Sequence, residues 1–187
     1  MSGADITIDK MIDALIKREG GYVDHPNDRG GKTNWGVTEA VARAHGYRGD
    51  MAKMPRRFAE GIYRARYWQD PKFDAVAEFF PKAAIELFDT GVNMGTGVAA
   101  RFLQRALNLL NRGGKAWPDL TVDGRIGAMT LDACRRYQIA RGKGAEPVLV
   151  KTLDGLQLAR YVEIAEARPS QEDFFFGWVA HRIGELT

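Results

Sequence analysis

The sequence predicts a mainly α fold with one small β-hairpin after the first helix. Three observations carry this expectation. Apolar residues recur at helical spacing through most of the chain, as in Ile8, Met11, Ile12, Leu15 and Ile16. A single short stretch, "TNWGVT" at 33–38, has strand-like residues, and it follows the turn formers Pro26, Asn27, Asp28, Gly30 and Gly31. No repeat and no low-complexity linker interrupts the 187 residues, a length that suits one compact domain or two small ones sharing a core.

The elements follow in order. The first helix carries the Ile8–Ile16 stripe, with Thr7 as its cap, Asp9 in its first turn and Gly20-Gly21 as its stop. Glu19 therefore falls at its C-terminal end. Residues 22–38 read as an irregular hairpin, and a helix over about 38–45 ends near Gly46. Pro55 opens the next helix at its first position, with Phe58, Ile62 and Tyr63 on one stripe. After a loop at 69–75, "PKAAIELFDTGVN" and "GVAARFLQRALNLLN" are helical and "NMGTG" breaks them apart. The loop "RGGKAWPDLTVDGRIG", with a tight turn at Asp123-Gly124, leads into a helix over about 127–141 that holds Thr130 early in its course. A long helix over about 146–167 stops at Arg168-Pro169. Ser170 and Asp173 resemble a capping box for a last helix containing "FFFGWVAHRIGEL".

Composition narrows the class. Hydrophobic residues make up 45% and charged residues 27%, which suits a globular chain and argues against general disorder. The apolar runs are short and broken by charge, so no membrane span is expected. "MSGADITIDK" lacks the basic n-region and apolar core of a Sec signal. The expectation is synthesis in the cytoplasm without a signal peptide. Cys134 is the only cysteine, which excludes an internal disulfide and reads as a small buried hydrophobe. His25, His45 and His181 are isolated, and neither a zinc-binding pattern nor a phosphate-cradling glycine loop occurs, so no metal and no cofactor is expected.

The net charge of +3 is uneven. Residues 1–95 hold 14 Lys+Arg and 14 Asp+Glu, whereas 96–187 hold 13 and 10. Within 96–145 there are nine basic residues against three aspartates, an excess that would attract anionic wall polymer or peptide carboxylates. A solvated basic face is the simpler account. No DNA-binding motif accompanies the excess, so nucleic acid is not an expected partner.

The chemistry concentrates in "REGGYVDHPNDRGGKTNWGVT", Arg18 to Thr38. Glycosidic hydrolysis needs a proton for the leaving oxygen and a route for water to the sugar carbon, tasks that most glycosidases give to two carboxyl groups. Glu19 sits where the negative end of a helix dipole opposes ionisation, and partial burial beside Tyr22 or Trp35 would act the same way. Gly20 and Gly21 leave room for a substrate. The competing account is a glutamate that merely ends a surface helix. Asp28, nine positions on, is the second candidate carboxyl, or else a turn-forming residue; Asp24 is a weaker rival. Thr33, Asn34 and Thr38 are candidates for positioning water or binding sugar hydroxyls. Trp35 reads as a stacking platform or as core, and for Tyr63, Tyr67 and Trp68 core is the better reading. Asn93 lines a cleft or caps the following helix, while Asp89 is structural.

Taken together, "EGGYVDHPNDRGGKTNWGVT", "IYRARYWQD", "LFDTGVNMG", "FLQRALN" with "VDGRIGAMTLDA", and "FFFGWVAHRI" resemble glycoside hydrolase family 108, the peptidoglycan N-acetylmuramidases of phage endolysins and secretion-associated lysozymes. The resemblance spans about residues 8–185. It implies a lysozyme-like helical fold, a catalytic region over 1–95, and a helical peptidoglycan-binding region over 96–187 packed on it. It also implies Glu19 as the catalytic acid, peptidoglycan as partner, a holin or secretion apparatus for delivery, and action at the cell wall or periplasm. A looser similarity to phage-type lysozymes matches the Glu19–Asp28 spacing, but Asn34 stands where those enzymes have threonine and Thr33 is one place early. The rival function is a non-catalytic wall-binding protein that assists secretion.

Overall fold

The computed structural model describes residues 3–24 and 31–183. It is mainly helical, with nine α-helices and one two-stranded antiparallel sheet among the described residues. The chain divides into two compact units, Met1–Trp68 and Gln69–Thr187.

The first unit is built on α1 (Gly3–Glu19) and α3 (Arg56–Arg64), which pack together. Ile8, Ile12, Leu15 and Ile16 of α1 are buried, as the periodicity predicts. Each such side chain contributes about 1.5–3 kcal/mol on leaving water. Two arginines of α3 lock the pair electrostatically: Arg56 bonds Asp13, and Arg64 bonds Asp9 and reaches Asp5 at 3.5 Å. The helix begins earlier than Thr7, which instead lies inside it and donates to the Gly3 carbonyl at 3.1 Å. A threonine hydroxyl in a helix has that carbonyl one turn back within reach, so the expected cap is not there. Gly20, at φ +82°, ends α1 in the left-handed conformation typical of the residue after a helix.

Strands β1 (Thr33–Asn34) and β2 (Val37–Thr38) pair Thr33 with Thr38 and Asn34 with Val37. Trp35 and Gly36 form the connecting turn at φ 54° and 72°, the positive values a two-residue type I′ hairpin turn requires. Val23 joins the sheet by a bridge to Thr33, with N–H···O distances of 2.8 and 2.9 Å. α2 (Glu39–Ala44) is capped by Thr38, whose Oγ1 accepts from Val41 N at 3.4 Å. A single 3-10 turn, Met51–Lys53, leads to Pro55, which stands just before α3 instead of opening it.

The second unit is organised around α5 (Pro81–Met94), which packs on α4 (Phe73–Ala77), α6 (Thr96–Leu110) and α8 (Ala145–Ala167). α4 replaces part of the loop expected at 69–75, because Phe73 and Val76 are fully buried and fold it into the core. Every α5 residue from Ala83 to Phe88 is buried. The N-terminus of α5 is capped from another helix: the Glu146 carboxylate of α8 accepts from Lys82 N at 2.6 Å and Ala83 N at 3.4 Å. α7 (Ala128–Arg141) packs on α4, α6 and α8, and α9 (Glu172–Arg182) packs on α8. The capping box expected at Ser170 and Asp173 does not form. Ser170 lies in a 3-10 turn, Pro169–Gln171, and α9 starts at Glu172 with no side-chain cap. Cys134 is buried, as expected, and burial pushes its thiol up to about 12. No helix among the described residues is long and apolar enough to cross a membrane.

A polar seam runs between α5 and α8. Glu86 and Asp89 of α5 lie near Asp154 and Tyr161 of α8, Glu86 is bonded by Thr90, and Asp89 is bonded by Arg182 of α9 at 2.9 Å. Glu86 is 1% exposed and one of its carboxylate oxygens has no partner. Burial first, and the charge of Asp154 second, push its carboxyl up to about 8; Asp154 is itself raised by burial. The folded state therefore holds a proton on Glu86 that the unfolded chain releases at the ordinary 4.5. The stability this supplies is full below that ordinary value and is lost as pH rises through about 8, at up to about 1.4 kcal/mol per pH unit. Thermal melts between pH 5 and pH 9 should show the second unit weakening with rising pH. Glu86→Gln should flatten that decline and raise the melting temperature at pH 9.

Candidate active site

Glu19 ends α1, and its side chain is exposed, not partly buried as expected from its neighbours. Its stem is nonetheless confined. The turn residue Gly36 lies so close that a Cβ there would sit 2.8 Å from both Cβ and Cγ of Glu19 and 2.4 Å from the Tyr63 hydroxyl. No side chain fits at position 36. The backbone of the hairpin turn thus presses directly on the glutamate while its carboxyl end faces solvent. Tyr63 comes from α3 and donates to the Trp35 carbonyl at 3.2 Å, tying the turn to the helix. Burial, and after it the Glu19 charge, push the Tyr63 hydroxyl up to about 12, so it remains a donor at any ordinary pH.

The other expected residues divide by location. Tyr22 is 40% exposed and donates to Asp24 at 3.2 Å. Thr33 is half-buried and donates to the Gly31 carbonyl at 3.3 Å. Trp35 is half-buried with its indole N–H on the Met54 carbonyl at 3.0 Å. Asn34 is buried at 3% exposure, and its amide donates to the Met51 carbonyl at 2.7 Å. That bond ties the hairpin to the 3-10 turn and leaves the Asn34 amide nitrogen facing inward. Asp28 lies outside the described residues. Asn93 belongs to the second unit, where it is exposed and bonds back to Asp89, at 2.7 Å to the carbonyl and 3.1 Å to the carboxylate. It does not cap α6, whose cap position is Gly95.

The sequence reading underrated Tyr63 and Gly36. Tyr63 is 8% exposed and stacks on Tyr67 at 6.0 Å, so a core reading was sound for its ring and missed its hydroxyl. The available signal was Trp-Gly between two strand-like pairs, which marks a tight turn whose second residue needs positive φ.

Comparison with known proteins decides the family. Residues 12–95 match the sequence model of Glycosyl hydrolase 108, and residues 98–183 match that of a Predicted Peptidoglycan domain. The first half of the chain belongs to the glycosyl hydrolase 108 family, and the second half is a peptidoglycan domain. The first match makes the chain a glycoside hydrolase, the second gives it peptidoglycan as partner, and the mainly α fold is lysozyme-like. The solved structure of Brucella abortus SagA is similar to it at 27% identity and a TM-score of 0.58, covering 94% of this chain and 89% of the other. No curated protein matches the chain. The family match places Glu19, Gly36 and Tyr63 all within the hydrolase region.

Gly36→Ala should be severe for so small a change. The left-handed backbone costs a non-glycine residue about 1–2 kcal/mol, and overpacking against two fixed neighbours adds about 1–3 kcal/mol. Urea unfolding of the first unit's signal should show a loss of at least about 2 kcal/mol. A loss below about 0.5 kcal/mol would mean that the turn does not press on Glu19.

Proposed function

We propose that this protein is an N-acetylmuramidase, a lysozyme that hydrolyses the β-1,4 bond between N-acetylmuramic acid and N-acetylglucosamine in peptidoglycan. Glu19 is the general acid. The observation that carries this reading is the pairing of an exposed Glu19 carboxyl with a clamped stem. Its Cβ and Cγ lie against the Gly36 backbone, while Gly20 and Gly21 next to it have open space around them. A proton donor must be both reachable by the glycosidic oxygen and held in direction.

In the proposed reaction the leaving oxygen takes the Glu19 proton as its bond to the anomeric carbon breaks. Positive charge spreads over that carbon and the ring oxygen. A water oxygen then bonds to the anomeric carbon and releases its proton to a carboxylate, the role we assign to Asp28. Tyr63 acts as a positioning residue: it holds the Trp35 carbonyl and thereby the turn that confines Glu19. Tyr22, Thr33, Trp35 and Asn93 are assigned to sugar contacts. Asn34 supports the hairpin through Met51. Residues 1–95 form the catalytic region in this reading and 96–187 the peptidoglycan-binding region. The site of action is the cell wall, reached through a holin or a secretion apparatus.

Mass spectrometry of soluble products from purified sacculi tests the proposal. Wild type should release disaccharide peptides with a reducing muramic end. Glu19→Gln keeps the shape and removes the acid, so release should fall by at least about a hundredfold while the melting temperature holds. A reducing glucosamine end, anhydro products, or an active Glu19→Gln variant would each overturn the assignment. Binding to sacculi without release by wild type would point to a non-catalytic wall-binding protein. Tyr63→Phe should lower turnover more than it changes substrate KM, because it loosens Glu19 and removes no sugar contact.

A further inference from the structure

The run "FFFGWV" gathers four aromatic rings on α9, a helix none of whose residues is fully buried. Two of these rings hold the helix in place. Trp178 stacks on Tyr161 of α8 with centroids 5.1 Å apart, and Phe174 stacks on Trp178 at 6.2 Å. Arg182, one turn beyond Trp178, adds the bond to Asp89 of α5. These contacts leave Phe176 82% exposed. A single exposed apolar side chain needs no explanation, but this one flanks a groove.

A cavity of about 350 Å³ lies between α8 and α9, lined by Val162, Ala165, Glu166, Glu172 and Phe175. Phe176 follows Phe175 and lies one helical turn after Glu172, so it flanks the cavity on the Glu172 side. The volume is at the small end for a ligand site and suits one ring. Three of the lining residues are apolar, and the charged ones, Glu166 and Glu172, are both exposed acids. Ionised carboxylates accept hydrogen bonds and donate none. That combination selects the occupant. An anionic polymer or lipid surface is repelled by the two acids. A wholly apolar partner would strip water from both carboxylates and return no donor. A second copy docked about a two-fold axis would bring the same acids to the same interface. A bare cation would be served by the acids but makes no use of the apolar lining. A pyranose ring uses both, because its C–H face is apolar and its rim carries hydroxyl donors. The groove also falls wholly within residues 98–183, the stretch that matches the Predicted Peptidoglycan domain.

We propose that the groove between α8 and α9 binds a hexosamine ring of the peptidoglycan glycan strand, with Phe175 and Phe176 against its C–H face and Glu166 and Glu172 accepting from its hydroxyls. The inference rests on the reading of peptidoglycan as substrate and deepens it. It names the sugar, not the peptide, as what the second unit recognises, and assigns that contact to residues of the second unit alone.

NMR titration of the full chain with the β-1,4 tetramer of N-acetylglucosamine tests it. The tetramer lacks the muramic–glucosamine bond that the proposed enzyme cleaves, so it persists through the titration. Backbone amide signals of residues 162–166 and 172–176 should shift together as one saturable set. Phe176→Ala and Glu172→Gln, both at exposed positions, should each weaken that set by about tenfold. Phe176→Tyr keeps the ring and should bind as wild type does. Shifts only outside these residues, full affinity in both weakening variants, or a loss in Phe176→Tyr equal to that in Phe176→Ala would overturn the proposal. So would a lysine-containing stem peptide that shifts the set when the tetramer does not, or concentration-dependent shifts without sugar, the sign of a second copy. Hydrolysis of sacculi by the same wild-type preparation separates the two readings. Intact hydrolysis with no shift at the groove removes this inference alone, and a shift at the groove without hydrolysis removes the muramidase assignment alone.

Discussion

The first unit turns on a contact that requires the absence of a side chain. Gly36 can touch Glu19 and Tyr63 only because it has no Cβ, and it can form the second half of the hairpin turn only because positive φ costs it little. Around that point the other interactions follow. Tyr63 reaches the turn because α3 is held on α1, and α3 is held by a buried apolar stripe and by Arg56 and Arg64 on the acids of α1. Asn34 and Trp35 fix the hairpin from its other side through the carbonyls of Met51 and Met54. These bonds fall on either side of the turn, so a shift at any of them would reach the stem of Glu19.

The second unit solves a different problem, the burial of polar groups. α5 is buried almost all round yet carries Glu86, Asp89 and Thr90. Asp89 is answered by Arg182, and the N-terminus of α5 by Glu146. Glu86 is answered by a proton instead of a cation. A neutral acid avoids most of the desolvation cost that an ionised one would carry at the same place. The amides of α6 and of Asn111, which caps its C-terminus, show the alternative strategy, since Gln104, Asn108 and Asn111 each satisfy the backbone or carboxylates of one long connection. That stripe does for an irregular segment what a strand partner does in a sheet.

Much of this was legible in the sequence because it depends on periodicity and punctuation. The stripe from Ile8 to Ile16, the stop at Gly20, the break at "NMGTG" and the stop before Pro169 are local signals, and each marks an observed helix or its end. What was not legible depends on distant partners. Phe73 and Val76 make a helix of an apparent loop only because the core accepts them. Thr7 and Ser170 have capping chemistry, but neither lies at the position where its helix starts. The position of Glu19 at the end of α1 followed from local rules. Its confinement by residues 17 and 44 positions away could not, because that contact exists only once the hairpin and α3 are in place. Asn34 illustrates the same limit, since an asparagine in a turn reads as polar and exposed until Met51 supplies a buried carbonyl.

An exposed acid is a sensible arrangement for an enzyme of a polymer. A deep pocket would bury a small sugar but exclude a cross-linked strand, whereas a glutamate acid of the kind proposed here, confined at its stem and open at its tip, would accept a chain that continues in both directions. Such openness sacrifices affinity, because an open site buries little of its substrate. In the proposed function the peptidoglycan domain of the same chain would offset that loss. Once one part of the polymer is held, the next glycosidic bond is presented at an effective concentration set by the tether and not by diffusion. On this reading weak contacts at the catalytic site are compatible with efficient turnover, and tight ones would slow release of the cut strand. The division of labour in the proposed function is in keeping with the charge distribution, which is neutral through residue 95 and basic beyond it. Electrostatic attraction to an anionic polymer is long-ranged and tolerant of register, which suits capture, while proton transfer needs a fixed direction over a hydrogen-bond length, which suits the clamp at Gly36.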